Sequence, residues 1–142
     1  MSGMSLITKT ITRLLLPFIA LFGAYMVAHG HLSPGGGFPG GVIIASAFVA
    51  VILAYGLSGT KKEIVMMRAE ALESIGGISI VVLGLLGISL SMSFLQNVFP
   101  LGWIGDIFSG GIIPFLYLGV GIKVTAGILL IFYSMLFALG EE

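Results

Sequence analysis

Cysteine is absent from the chain. Disulfides, cysteine-ligated zinc and thiol catalysis are therefore excluded, and the redox compartment leaves no trace in the sequence. Charge is nearly as scarce. Asp, Glu, Lys and Arg make up 8% of the 142 residues, where a soluble domain carries about 25%. The formal net charge is zero, so the basic patch needed to hold nucleic acid is missing. Only two histidines occur, His29 and His31. Zinc wants three or four ligands, so no metal is expected, and no cofactor. No nucleophile stands beside a base, so the chain is not expected to be an enzyme by itself. Ser109-Gly110-Gly111 has no neighbouring histidine.

Apolar side chains dominate instead. They make up 58% of the residues, and the mean hydropathy is +1.19. A soluble fold of this size would have to spread them over its surface, so the bilayer is the better solvent. The expected fold is all-α, a single membrane domain over 1–142 with four transmembrane helices. Their spans are about 11–28, 41–57, 74–95 and 112–139. Pro17 should bend the first helix near its start. That helix has no small-residue cleavage site after it and reads as a retained anchor, not a signal peptide. Between the first two spans, the density of Gly and Pro from His29 to Gly41 should break any helix. The charged stretch from Lys61 to Glu73 reads as a short interfacial helix.

Lys9, Arg13, Lys61, Lys62 and Arg68 all fall on the side of the two termini, and neither opposite loop carries a Lys or Arg. This bias places both termini in the cytoplasm and the Gly-rich loop outside. The expected location is the cell membrane, in multiple passes. No internal repeat is evident, which weighs against an inverted-repeat transporter complete in one chain.

Small residues let helices approach closely in lipid. Gly77, Gly84, Gly87 and Ser91 share one stripe of the third span, and Gly119, Lys123 and Gly127 follow at four-residue steps on the fourth. The second span carries Ala47, Ala50 and Ala54. Such faces fit packing against other subunits as well as within the chain. They are also what common membrane-helix composition produces.

Lys123 lies about 16 Å along its span, close to the bilayer midplane. A charge at that depth is costly and marks function by default. One reading gives it a part in ion movement, since a desolvated lysine can exchange protons. The other makes it a fixed cation paired with a carboxylate. Glu73 falls at the cytoplasmic end of the third span and Asp106 in an outer loop, so no acid of this chain is expected at its depth. His29 and His31, two residues apart at the outer end of the first helix, serve either as a relay or as ordinary interfacial histidines. The ion-path candidates are thus Lys123, His29, His31, Glu73 and Asp106.

The run His29-Gly30-His31-Leu32-Ser33-Pro34-Gly35-Gly36-Gly37-Phe38-Pro39-Gly40-Gly41 resembles the signature of the B subunit (MnhB/MrpB type) of multisubunit sodium/proton antiporters. Ser93-Phe94-Leu95-Gln96-Asn97 and Gly119-Val120-Gly121-Ile122-Lys123-Val124 resemble that family's third- and fourth-helix motifs, in the same order. The resemblance implies a small four-helix subunit of an antiporter module. Its partners would be other membrane subunits, with Na+ and H+ as the transported ions. The host would be a stand-alone antiporter or the membrane arm of an archaeal hydrogenase or sulfur-reductase complex. Two further readings remain: a purely structural assembly subunit, and a small dimeric multidrug-type exporter. The latter resembles this chain in helix number but relies on a first-helix Glu that is missing here.

The charge bias gives a direct test. A cysteine at Ser33 should react with an impermeant thiol reagent added outside intact cells. Labelling that appears only after cytoplasmic access would reverse the orientation.

Overall fold

A computed structural model describes residues 4–56, 62–90, 93–103, 105–106 and 109–139. It contains four helices: α1 (Leu6–Ala28), α2 (Gly37–Tyr55), α3 (Lys62–Ser89) and α4 (Ile113–Leu139). Each is long and apolar enough to cross a membrane. The four expected spans are present, but their limits differ in instructive ways.

Helix α1 starts at a serine cap, where Thr8 N donates to Ser5 Oγ at 3.4 Å, and it runs unbroken through Pro17. Helix α2 begins at Gly37, four residues before the expected Gly41. The Gly/Pro run does not exclude helix to its end. Gly36, at φ +130°, makes the sharp turn in, a backbone angle that glycine adopts without strain. Pro39 then sits in the first helical turn, where a missing N–H is no loss. Gly40 N donates to Gly36 O at 3.1 Å and closes that turn.

The expected interfacial helix before Glu73 is not separate. It is the first part of α3, which runs continuously from Lys62 to Ser89. Hydropathy changes near Ser74, but a backbone hydrogen-bond ladder is indifferent to that change. The third helix also stops short of Leu95. The chain folds back, with Leu95 at φ +60° and its N–H on Gly84 O at 3.3 Å. Phe94 lies against Gly84 and the Ser93 carbonyl against Gly87. These two glycines therefore receive the returning chain, not another helix. Ser91 lies outside the described residues.

Packing runs in the order α1, α2, α4, α3, with a lesser contact between α1 and α4. Among the described residues no large side chain is fully buried. The interior is mostly small residues: Ala45, Ala47, Ala54, Ala69 and Ala126, beside Ile52 and Ile112, with Gly23, Gly40, Gly41, Gly119 and Gly121. Lipid tails are as apolar as leucine, so close backbone approach and hydrogen bonds must hold the helices together. Three crossings do this. A Cβ on Gly40 would stand 2.8 Å from Gly23 O, closing α1 on α2. One on Gly41 would stand 2.8 Å from Gly121 O, closing α2 on α4, where Thr125 Oγ1 also donates to Gly41 O at 3.1 Å. One on Gly76 would stand 2.7 Å from Lys123 N and 2.9 Å from Gly119 O, closing α4 on α3. Gly127, by contrast, has nothing within 4 Å of its missing Cβ.

Adding one methyl separates these cases. Gly76→Ala should destabilise the chain by about 1–3 kcal/mol, as overpacking does, because the atoms it meets are backbone. Gly127→Ala should be neutral or slightly stabilising through helix propensity. Thermal unfolding in detergent, followed by loss of the monodisperse peak, checks both.

Candidate functional site

The two helices that carry opposite charges inside the membrane, α3 and α4, meet at the Gly76–Gly119 crossing. Lys123 Nζ and Glu73 Oε1 are 2.9 Å apart there. This overturns the expectation that no acid of this chain reaches the depth of Lys123. The reason is the position of the helix start. Because α3 begins at Lys62, Glu73 lies about 16 Å inside it and not at its end. The Lys123 backbone is level with Gly76, one turn beyond Glu73. The lysine stem runs back along that turn and carries the ammonium past Gly77, whose missing Cβ would be 3.6 Å from Nζ.

The pair is not enclosed by its own chain. The Lys123 and Glu73 side chains are 45% and 37% exposed. Gly77 and Gly127 flank them, and neither side offers bulk to cover the charges. At 100° per residue, Glu73 and Gly77 turn away from Val65, Arg68, Ala69 and Leu72, which line the cavity of about 540 Å³ on the other face of α3 and α4. The pair thus faces outward, away from α1 and α2. Hydrocarbon cannot solvate it. Water or a polar neighbour must complete its surroundings in a membrane.

A second cluster holds the loops at the opposite ends of the helices. His29 caps α1, stacks on Tyr25 with ring centroids 4.3 Å apart, and accepts the N–H groups of Leu32 and Ser33 on its carbonyl at 2.9 and 3.0 Å. His31 Nε2 donates to the backbone carbonyl of Asp106 at 3.2 Å. The Nδ1 atoms of both rings are buried and have no hydrogen-bond partner among the described residues. The Asp106 carboxylate makes no hydrogen bond or ion pair among the described residues. The Gly-rich loop is packed: Gly36 N donates to Met26 O at 3.0 Å, Gly35 presses on the same carbonyl, and Gly30, Gly36 and Gly37 lie against Tyr117. Pro34 and Phe38 are exposed on it. The structure brings His31 to Asp106, but it does not bring either histidine or Asp106 into contact with the ion pair. Among the described residues no group of three His, Asp or Glu side chains could hold a metal.

Two contributors escape sequence reasoning. Gly76, not Gly77, is the crossing glycine; both sit near the stripe, and periodicity cannot choose between them. Asn97 organises the outer loop. Its Oδ1 accepts Ile112 N at 3.0 Å and Phe99 N at 3.3 Å, and its Nδ2 donates to Phe99 O at 2.9 Å. A Cβ at Gly111 (φ +60°) would collide with this amide, so glycine suits that position. The only hint of Asn97 in the sequence was its position at the end of the third-helix motif.

Comparison with known proteins gives a consistent picture. The family model described as a domain related to the MnhB subunit of Na+/H+ antiporter matches residues 7–130. An uncharacterised protein of Methanocaldococcus jannaschii is 36% identical over 75% of this chain and 42% of its own length. A Staphylococcus aureus protein named as antiporter subunit mnhB2 is 43% identical over 34% of this chain and 35% of its own. Among solved structures, a chain of the membrane-bound sulfane sulfur reductase, an archaeal respiratory membrane complex, is 42% identical with a TM-score of 0.71. That match covers 88% of this chain and 56% of the other. This chain thus spans well under two thirds of the relatives it matches.

The ion pair is open to a double-mutant test. Lys123→Ala and Glu73→Ala should each lower the stability of the isolated chain in membranes, since each strands a charge. The double variant should recover part of the loss, with a coupling on the order of 1 kcal/mol. Strict additivity would mean the two charges do not sense each other. Protease resistance in membranes, titrated with denaturing detergent, measures it.

Proposed function

The chain belongs to the MnhB family of antiporter subunits, and from that premise we propose that it is a small membrane subunit of a multisubunit Na+/H+ antiporter module. Its work there is to contribute to ion translocation and to assembly, with both termini cytoplasmic. The host is a stand-alone antiporter or the membrane arm of a respiratory complex. The likeness to a sulfane sulfur reductase chain, stronger in coverage than that to the antiporter subunit, favours the second. Catalysis belongs to other subunits of such a complex. Partners are neighbouring membrane subunits, and the transported species are Na+ and H+.

The observation that carries this reading is the Glu73–Lys123 pair: inside the membrane-spanning part, open by more than a third, and turned away from the rest of the chain. A charge pair that only stabilised its own subunit would gain most from full enclosure. One left at the edge is available to a neighbour's polar groups or to a file of water. Gly77 and Gly127 leave room for that neighbour's backbone. The absence of any acid from α1 removes the motif on which a small multidrug-type exporter depends.

A second reading, a fixed cation that serves assembly, is favoured by the 2.9 Å geometry, since the pair is already made without a partner. Exchange measured as sodium-driven pH change in vesicles, with complex abundance followed in parallel, separates the two. In the relay reading, Lys123→Ala abolishes exchange in an assembled complex, and Lys123→Arg fails too because arginine stays protonated. In the fixed-cation reading, Arg restores most exchange and Ala depletes the complex. Full exchange and normal assembly in Lys123→Ala would defeat both. The purified subunit alone should exchange no ions.

A further inference from the structure

On the face opposite the ion pair, α4 forms the floor of an open cavity of about 540 Å³, with α3 on one side and α1 and α2 on the other. Its lining is apolar apart from Arg68, Thr125 and Tyr133, and it includes no acid. The α3–α4 crossing sets the register. Gly76 is level with the stretch between Gly119 and Lys123, so antiparallel counting puts Arg68 and Tyr133 within about one turn of each other. Both therefore stand at one end of the cavity. Thr125, further along, already donates to Gly41 O and Gly121 O. The rest, from Leu129 to Leu118, is hydrocarbon in character.

We propose that this cavity binds one anionic phospholipid, its phosphate on Arg68 and an acyl chain along α4. Three observations converge. Arg68 lies on α3 about 9 Å before the apolar run that begins near Ser74, so its long basic side chain can reach the headgroup layer. It has no ion-pair partner among the described residues, so its charge is free for a phosphate, which guanidinium recognises with two parallel hydrogen bonds. The floor from Tyr133 to Leu118 is about 22 Å long, enough to take a chain through one leaflet of about 15 Å. The groove is apolar beyond its charged end, which fits a charged amphiphile.

The test uses the full chain in vesicles of phosphatidylcholine with one-fifth phosphatidylglycerol, containing trace diazirine-bearing phosphatidylglycerol or phosphatidylcholine. The phosphatidylglycerol probe should label peptides of α3 and α4 that border the groove about five-fold more than the phosphatidylcholine probe. Arg68→Gln should bring the two to the same level, Arg68→Lys should keep most of the preference, and Ala126→Phe, which fills the floor, should lower labelling by both. Arg68 is exposed and has no ion-pair partner among the described residues, so its variants should retain wild-type helix content, which circular dichroism checks. Equal labelling by both probes, a preference that survives Arg68→Gln, or labelling confined to the Glu73 face would overturn the proposal. So would a photo-crosslinker at Val65, in the assembled complex, that captures a polypeptide instead of a lipid.

Discussion

The whole arrangement depends on how closely the α4 backbone approaches its two neighbours. In water, burial of large apolar side chains would hold four helices together. In lipid that driving force is absent between helices, and contact at short range replaces it. The consequence is visible in what is buried. Alanines and glycines fill the contacts, and large side chains such as Leu21, Phe18, Ile78 and Leu118 are exposed to the surroundings. Gly41 against the Gly121 carbonyl and Gly76 against the Gly119 carbonyl place α4 between α2 and α3. Thr125 adds a hydrogen bond to Gly41 O, directed across the same interface.

The ion pair follows from that approach. Lysine meets Glu73 because nothing larger than hydrogen stands at Gly76, where a Cβ would press on the Lys123 backbone and stem. A charge placed at this depth without a counter-charge would be among the costliest features a membrane helix can carry. A pair reduces that cost but leaves a large dipole, and two half-exposed side chains cannot be left against hydrocarbon. The pair therefore carries information about the surroundings of the chain. It marks α3 and α4, on the face away from α1, as the edge where polar matter is needed.

Much of the fold is legible in the amino-acid sequence, because four apolar runs separated by polar or Gly-rich stretches admit few readings. What escapes is where helices begin and end. Hydropathy reports which part of a helix sits in lipid, and a helix can extend well past it, as α3 does from Ser74 back to Lys62. Measured from the apolar boundary, Glu73 is a terminal residue. Measured from the true helix start, it is a buried-depth acid and the partner of Lys123. The Gly/Pro run misled in the opposite sense, since proline is excluded from helix interiors but not from a first turn. The stripes of small residues define faces, yet a face does not state what covers it. Gly84 and Gly87 receive the returning chain, Gly76 receives a helix, and Gly127 remains open.

Helix α4 then presents two unlike sides. One bears Lys123 and the glycine notch beside it, the other the apolar groove that ends at Arg68 and Tyr133. About 100° of helix rotation per residue means that neighbours in sequence serve different sides: Ile122 lines the groove and Lys123 makes the ion pair. A shift of one residue in the α3–α4 register would carry the lysine into the groove or toward the outer apolar face. The glycines at the crossing oppose this, because it is in the observed register that Gly76 meets the Gly119 carbonyl and the Lys123 N–H. Gly76 and Gly119 thus do more than allow proximity; they decide which side of the subunit is ionic and which is apolar.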